Sequence, residues 1–224
     1  AGPRFALAAL GIEAASATPA AEHQFDPQFV CLAVLLVAAI VVRYVPGVWL
    51  RRGMLLFTLV LTGFVWNLQY GSQQVMGILS WSLPGNWLGG SFLLVLAVPI
   101  VVLLVGNVYC GYVCPFGALQ ELVGDLRPGR PATDPEKRTW RYGRAVKYVL
   151  LALVVVLFGL TRDYGVLAAD PLLTVFSPLR DLWTLGFASG LVVLSFFYRR
   201  FWCRNLCPAG AFLALLGGAR LLKR

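Results

Sequence analysis

The chain has 224 residues, 59% of them hydrophobic and 13% charged, with a mean hydropathy of +0.76. That is too apolar for a water-soluble domain of this size and places the protein in a bilayer. No nucleic-acid motif accompanies the net charge of +9, which reads instead as a topology signal and an attraction to anionic lipid headgroups.

Residues 1–26 are small and Ala-rich, with Glu13, Glu22 and Asp26. Residues 5–12, followed by Ala-Ser-Ala, have the look of a signal segment, but Glu13 interrupts the apolar stretch. The region is read as an extracytoplasmic tail or the remnant of a longer N-terminal region. It holds His23, the one histidine of the chain, so a bis-histidine haem cannot be built from this chain alone.

Five apolar runs follow, with cores at 29–42, 54–70, 91–106, 146–160 and 183–198. Each predicts a transmembrane helix, and together they predict an all-α integral membrane bundle. The fourth core is only about 21 Å long at helical rise, so it crosses only if Lys147 and Arg162 snorkel or neighbouring helices cover it. The connections 71–90 and 162–181 either cap the outer surface or dip back into the bundle, where uncharged backbone is tolerated only under a protein cover. The expected division is a tail (1–26), a first helix and inner loop (27–53), a first repeat (54–126), a basic cytoplasmic loop (127–144), and a second repeat with a C-terminal helix (145–224).

Of the 19 Lys and Arg residues, all but Arg4, Arg162 and Arg180 fall on one side of these runs. Basic residues are retained on the cytoplasmic side. The expected topology is a multi-pass protein of a bacterial-type inner membrane, N-terminus outside and C-terminus cytoplasmic.

The repeat shows in two copies of one motif, Cys110-Gly111-Tyr112-Val113-Cys114-Pro115-Phe116-Gly117-Ala118 and Cys203-Arg204-Asn205-Leu206-Cys207-Pro208-Ala209-Gly210-Ala211. Each follows an apolar run where it meets a basic segment, and the likeness extends to the helices around it. Two parallel repeats related by a pseudo-twofold axis along the membrane normal would bring both motifs to one depth. Cys-x-x-x-Cys puts two thiols one turn apart on a common face, and the following Pro makes the second Cys the N-cap of a new helix. There, free N–H groups and the positive helix end favour thiolate, the ligand form. Gly117 and Gly210 would allow close approach to another backbone or to an inorganic centre.

Cys110, Cys114, Cys203 and Cys207 thus make a four-thiolate set of the kind used by an iron-sulfur cluster or by structural zinc. A lipid-stabilised bundle has little need of a structural ion, and a centre at the inner boundary is placed to pass electrons. The set therefore points to one iron-sulfur cluster, [4Fe-4S] above other types, with Arg199, Arg200 and Arg204 able to offset part of its charge. A copper-type ion and a thiol-disulfide pair are the competing readings, though stable disulfides are disfavoured on a reducing side. Cys31, without a sequence partner, reads as a packed small hydrophobe. Glu121 and Asp125 read as solvated charges on a helix face.

At these residues the chain resembles the membrane core of the NosR/NapH/PceC-type family of 4Fe-4S-binding, polyferredoxin-like membrane proteins, over roughly residues 54–217. The resemblance implies electron transfer between a quinone or cytoplasmic donor and an extracytoplasmic acceptor, with a flavin- or ferredoxin-type redox partner, and it carries the ligand role onto the same four cysteines. Larger family members add an FMN-binding domain and a Cys-x-x-Cys-x-x-Cys module that this sequence lacks. It is then either a portion of a longer protein or a subunit whose partners supply them. The expected role is an electron-transfer component of an oxidoreductase complex, not a catalyst alone. The alternatives are a copper- or metal-handling assembly factor for a respiratory enzyme, and a structural membrane anchor docking soluble redox proteins through its basic loop.

Overall fold

The computed structural model describes residues 27–45, 47–81, 90–126, 143–162, 175–176 and 182–218, which are helical with no strand among them. The tail, the basic loop up to residue 142, most of the connection 163–181, and residues 219–224 lie outside the described residues, with the expectations attached to them.

Helices form at all five apolar runs. They are α1 (Pro27–Tyr44), α2 (Val48–Val65), α4 (Gly90–Val105), α6 (Gly143–Thr161) and α7 (Leu182–Phe197). Of these, α1 and α2 are long and apolar enough to cross a membrane, while α4, α7 and the apolar part of α6 (Ala145–Thr161) are shorter apolar helices. The short fourth run gains a polar N-terminal turn and becomes a 19-residue helix. Arg51 and Arg52, expected in an inner loop, lie on the early turns of α2. That helix ends at Val65, short of the expected Tyr70.

Each helix is apolar on its outer as well as its inner face. Val30, Val34, Val37 and Val41 form an exposed stripe on α1 at three- and four-residue spacing, with Leu32, Leu35, Leu36 and Ala39 buried opposite. Exposed Leu56, Phe57, Val60 and Phe64 on α2, and Val149, Leu153 and Val156 on α6, repeat the arrangement. A surface this apolar is stable only against lipid or another protein.

The described part of the connection after α2 turns inward, while residues 82–89 lie outside the described residues. Asn67 takes a left-handed conformation at φ 48°, which Asn tolerates better than most residues, and turns the chain back inward. Leu68, Gln69, Tyr70, Val75 and Met76 are buried, and α3 (Ser72–Leu79) packs against α4 and α6. The Tyr70 amide donates to the Tyr109 phenol at 2.9 Å, and the two rings meet edge to face with centroids 5.7 Å apart. Tyr109→Phe should therefore strand a buried amide and cost about 1–3 kcal/mol. A lowered thermal midpoint in detergent checks it, and an unchanged midpoint would remove this contact from the account of the segment.

Two half-length helices complete the fold. α5 (Pro115–Asp125) packs between α2 and α7, and α9 (Pro208–Gly218) packs between α6 and α4. A short helix, α8 (Phe201–Asn205), precedes α9. Two apolar cores result, one built around α1, α3, α4 and α9 and the other around α2, α5 and α7. Cys114 and Cys207 pack against both.

Candidate metal centre

The two cysteine motifs fold alike. Residues Tyr109–Val113 wind as a π turn, closed where the Cys114 amide donates to the Tyr109 carbonyl at 2.9 Å. In the second motif the Cys207 amide donates to the Trp202 carbonyl at 3.0 Å, the same pairing one residue before the first cysteine. The expected one-turn spacing of the thiols is thus met by a turn wider than an α-turn, a local form that recurs at functional sites.

Both second cysteines then start a helix. Cys114 is the N-cap of α5, extended at φ −71° and ψ 121°, with Pro115 in the first turn. Pro115 favours that extended backbone and loses no needed hydrogen bond at this position. Cys114 makes no side-chain hydrogen bond to the first turn of its helix, whereas the Cys207 sulfur accepts the Gly210 amide at 3.2 Å. That contact, and the positive end of each helix, favour thiolate over thiol.

The glycines have matching reasons. A Cβ at Gly117 would stand 2.6 Å from the Cys110 carbonyl oxygen, and one at Gly210 would stand 2.9 Å from that of Cys203. In each copy, helix and turn approach too closely for any side chain at that position.

The copies meet. The thiols of Cys114 and Cys203 are neighbours, with Cys110 and Cys207 close by. Cys110 and Cys203 line a cavity of about 150 Å³ together with Asn107, Lys147, Arg200 and Arg204. Among the described residues, no three His, Cys, Asp or Glu side chains are placed to grip a single metal ion. In an iron-sulfur cluster each thiolate binds its own iron, so the four need not converge on one point. Cys110 and Cys203 on the wall of a partly polar cavity, with Cys114 beside Cys203 and a backbone N–H on the Cys207 sulfur, fit such a group. Cys31 packs at the edge of the first core, as expected.

The first turn stands deeper than the charged helix end where the sequence pattern places it. Thr58 donates to the Tyr112 carbonyl at 2.9 Å, Thr62 donates to the Val113 carbonyl at 3.4 Å, and Gly63 faces Pro115. Thr58 and Thr62 lie about 9 and 15 Å along the helix from Arg52. From Pro115, α5 then returns toward that end, where Arg52 pairs with Asp125 at 3.4 Å.

Glu121 departs from its expected role as a solvated charge: it is fully buried, and its carboxylate is shared by Arg51, Arg199 and Arg200. Arg199 Nε reaches it at 2.9 Å. The available signal was its position as the first charge after the long uncharged run 53–120. Burial by itself pushes this carboxyl up, but the Arg200 charge, the Arg199 hydrogen bond and the Arg51 charge outweigh it and hold it below its ordinary value. A carboxyl depressed on folding adds stability above its unfolded pKa and loses it as pH falls through the folded one. The thermal midpoint should thus drop on acidification below the ordinary carboxylate range, and the drop should be smaller in Glu121→Gln. Parallel pH curves for the two proteins would contradict this.

Comparison with known proteins gives a family match described as a 4Fe-4S binding domain, over residues 87–132 and 181–224, so each matched stretch contains one cysteine motif. The regulatory protein NosR of Pseudomonas aeruginosa is 34% identical over 198 residues, 77% of this chain and 26% of that protein. The protein NirI of Paracoccus denitrificans is 35% identical over 189 residues, covering 76% and 27%. The methylamine utilization ferredoxin-type protein MauN of Paracoccus denitrificans is 27% identical over 210 residues, covering 86% and 66%. The chain spans about a quarter of the length of the NosR and NirI relatives. No solved structure gives a significant match.

Proposed function

The chain belongs to the NosR/NirI-type family and carries a 4Fe-4S binding domain, and on that premise we propose that Cys110, Cys114, Cys203 and Cys207 together hold one [4Fe-4S] cluster that relays electrons across the membrane. At the coarser level the protein is an iron-sulfur electron-transfer or regulatory membrane protein. The observation that carries the finer reading is the single cavity lined by Cys110 and Cys203, thiols from different motif copies.

Helix packing supports the paired-repeat architecture. α5 is gripped by α2 of its own half and α7 of the other, and α9 by α6 of its own half and α4 of the other. Exchanging the halves leaves the pattern unchanged, as a pseudo-twofold axis between the motifs requires. Five helices at the five apolar runs, each with a lipid-suited outer stripe, make a five-span bundle the natural arrangement, with the C-terminus on the cytoplasmic side given by the basic residues.

When bound, the cluster supplies reversible one-electron storage. The chain's own residues do the rest. The cysteines would anchor it, the Gly210 N–H and the helix N-termini at Pro115 and Pro208 would stabilise thiolates, and the two apolar cores would keep water from its sides. Its depth beside Thr58 and Thr62 shortens the path toward an extracytoplasmic acceptor. The donor is a cytoplasmic protein or a quinone, and a flavin- or ferredoxin-type protein suits either end of the route.

Anaerobically purified protein should contain about four irons and an equal amount of acid-labile sulfide per chain, with an EPR signal on reduction. Absence of both rejects the reading. Stoichiometric copper without them would favour metal handling.

A further inference from the structure

The group of charges around Glu121 has more cation than anion and reaches the metal centre. Three guanidinium groups share one buried carboxylate. They come from α2 and from the residues just before α8, while Glu121 is on α5, so the network joins the two halves of the chain. Arg200 goes further than the others. Its Nη2 donates to the Gly111 carbonyl at 2.8 Å, inside the first cysteine motif, and its side chain lines the cavity shared by Cys110 and Cys203. Its backbone is left-handed at φ 54°, a conformation that a non-glycine residue keeps only when its surroundings enforce it. Those surroundings are Glu121 on one side and the Gly111 carbonyl on the other.

We propose that Arg200 sets the reduction potential of the cluster held by the four cysteines, and that Glu121 is the residue that positions it there. The proposal rests on the cluster assignment made above. Reduction adds one electron from a one-electron donor and breaks no bond in the chain. The reduced centre is the more negative, so a nearby fixed cation stabilises it and raises the potential. Glu121 works against this by its own charge and in favour of it by holding Arg200 in place. These two effects have opposite signs, so they can be told apart.

The experiment is an EPR-monitored redox titration of the full chain in detergent, with iron and sulfide measured on every sample. Arg200→Gln should lower the potential by the equivalent of about a tenfold change in the reduction equilibrium, 59 mV for a one-electron couple. Arg200→Lys, which keeps the charge, should fall less. Glu121→Asp keeps the charge but shortens the side chain, and should lower the potential by releasing Arg200. Glu121→Gln should lower it in the wild-type background and fail to lower it when Arg200→Gln is already present. A wild-type protein without iron and sulfide would overturn the cluster assignment itself. A loaded Arg200→Gln protein at wild-type potential would overturn the inference while leaving that assignment standing. A rise in Glu121→Gln with no change in Glu121→Asp would make Glu121 a plain counter-charge and overturn its positioning role. If Arg200→Gln folds but does not load, Arg200 serves assembly, and the tuning role is overturned.

Discussion

Cys110→Ser and Cys203→Ser are each expected to abolish the same iron-sulfur EPR signal, taking iron and sulfide content from full to near zero. The expectation follows from the meeting of the motifs: Cys110 and Cys203 line one cavity, and Cys114 lies beside Cys203. A cluster shared across that junction loses one of its four thiolates in either variant, and no histidine lies among the described residues to replace it. Serine keeps the shape but is a poor ligand for iron in this setting, since the thiolate is the ligand form. The outcome against a shared centre is equally definite. If each variant loses half of the iron and keeps half of the signal, the motifs hold separate centres. Cys31→Ser is the matched control, because Cys31 packs among apolar side chains of α1 and should leave iron and signal unchanged.

The second large effect concerns structure before chemistry. Gly117→Ala and Gly210→Ala should each destabilise the protein and impair loading, with Gly117→Ala the more severe. An added Cβ would stand 2.6 Å from the carbonyl oxygen of Cys110 in the first case and 2.9 Å from that of Cys203 in the second. Neither oxygen belongs to a side chain that can rotate away. Each is backbone of a cysteine turn, so relief requires the helix and the turn to separate, at a cost of about 1–3 kcal/mol or more. That movement also shifts one cysteine relative to the other in the same motif. Gly53→Ala and Gly159→Ala provide the contrast, since nothing stands within 4 Å of an added Cβ at either site. Within a helix they should be neutral or stabilising by about 0.5–1 kcal/mol. Thermal midpoints of the four variants in detergent, with iron content, test the ordering. Equal behaviour of motif and control glycines would show that close approach is not why the motif glycines are there.

The helices were legible because apolar run length is a direct consequence of lipid solvation, which acts on each residue regardless of its distant partners. The N-cap role of the second cysteines was legible for a similar reason: Pro115 restricts the residue before it through local sterics. The boundaries of α2 were not. Its early turns include Arg51 and Arg52 because Glu121 and Asp125 on α5 receive them, and its C-terminal part is π-wound beside the first cysteine turn. Both causes lie on segments remote in sequence.

Glu121 shows the same limit at one residue. Its sequence neighbourhood is that of an ordinary helix-face acid, and only the arrival of Arg199 and Arg200 from the far end of the chain turns it into a buried ion-network centre. The depth of the first cysteine turn and the inward return of residues 68–76 likewise depend on Thr58, Thr62 and Tyr109 finding partners across the bundle.

From the amino-acid order alone came the lipid-facing helical character, the duplicated cysteine motif and the chemical class of its donor set, all properties carried by side-chain type and short spacing. Tertiary structure decided that the two motifs meet at one cavity, how far into the bundle the first lies, and which basic side chains line that cavity. Those are distances between residues far apart along the chain, fixed by helix packing and by the pairing of buried charges, and local chemistry does not contain them.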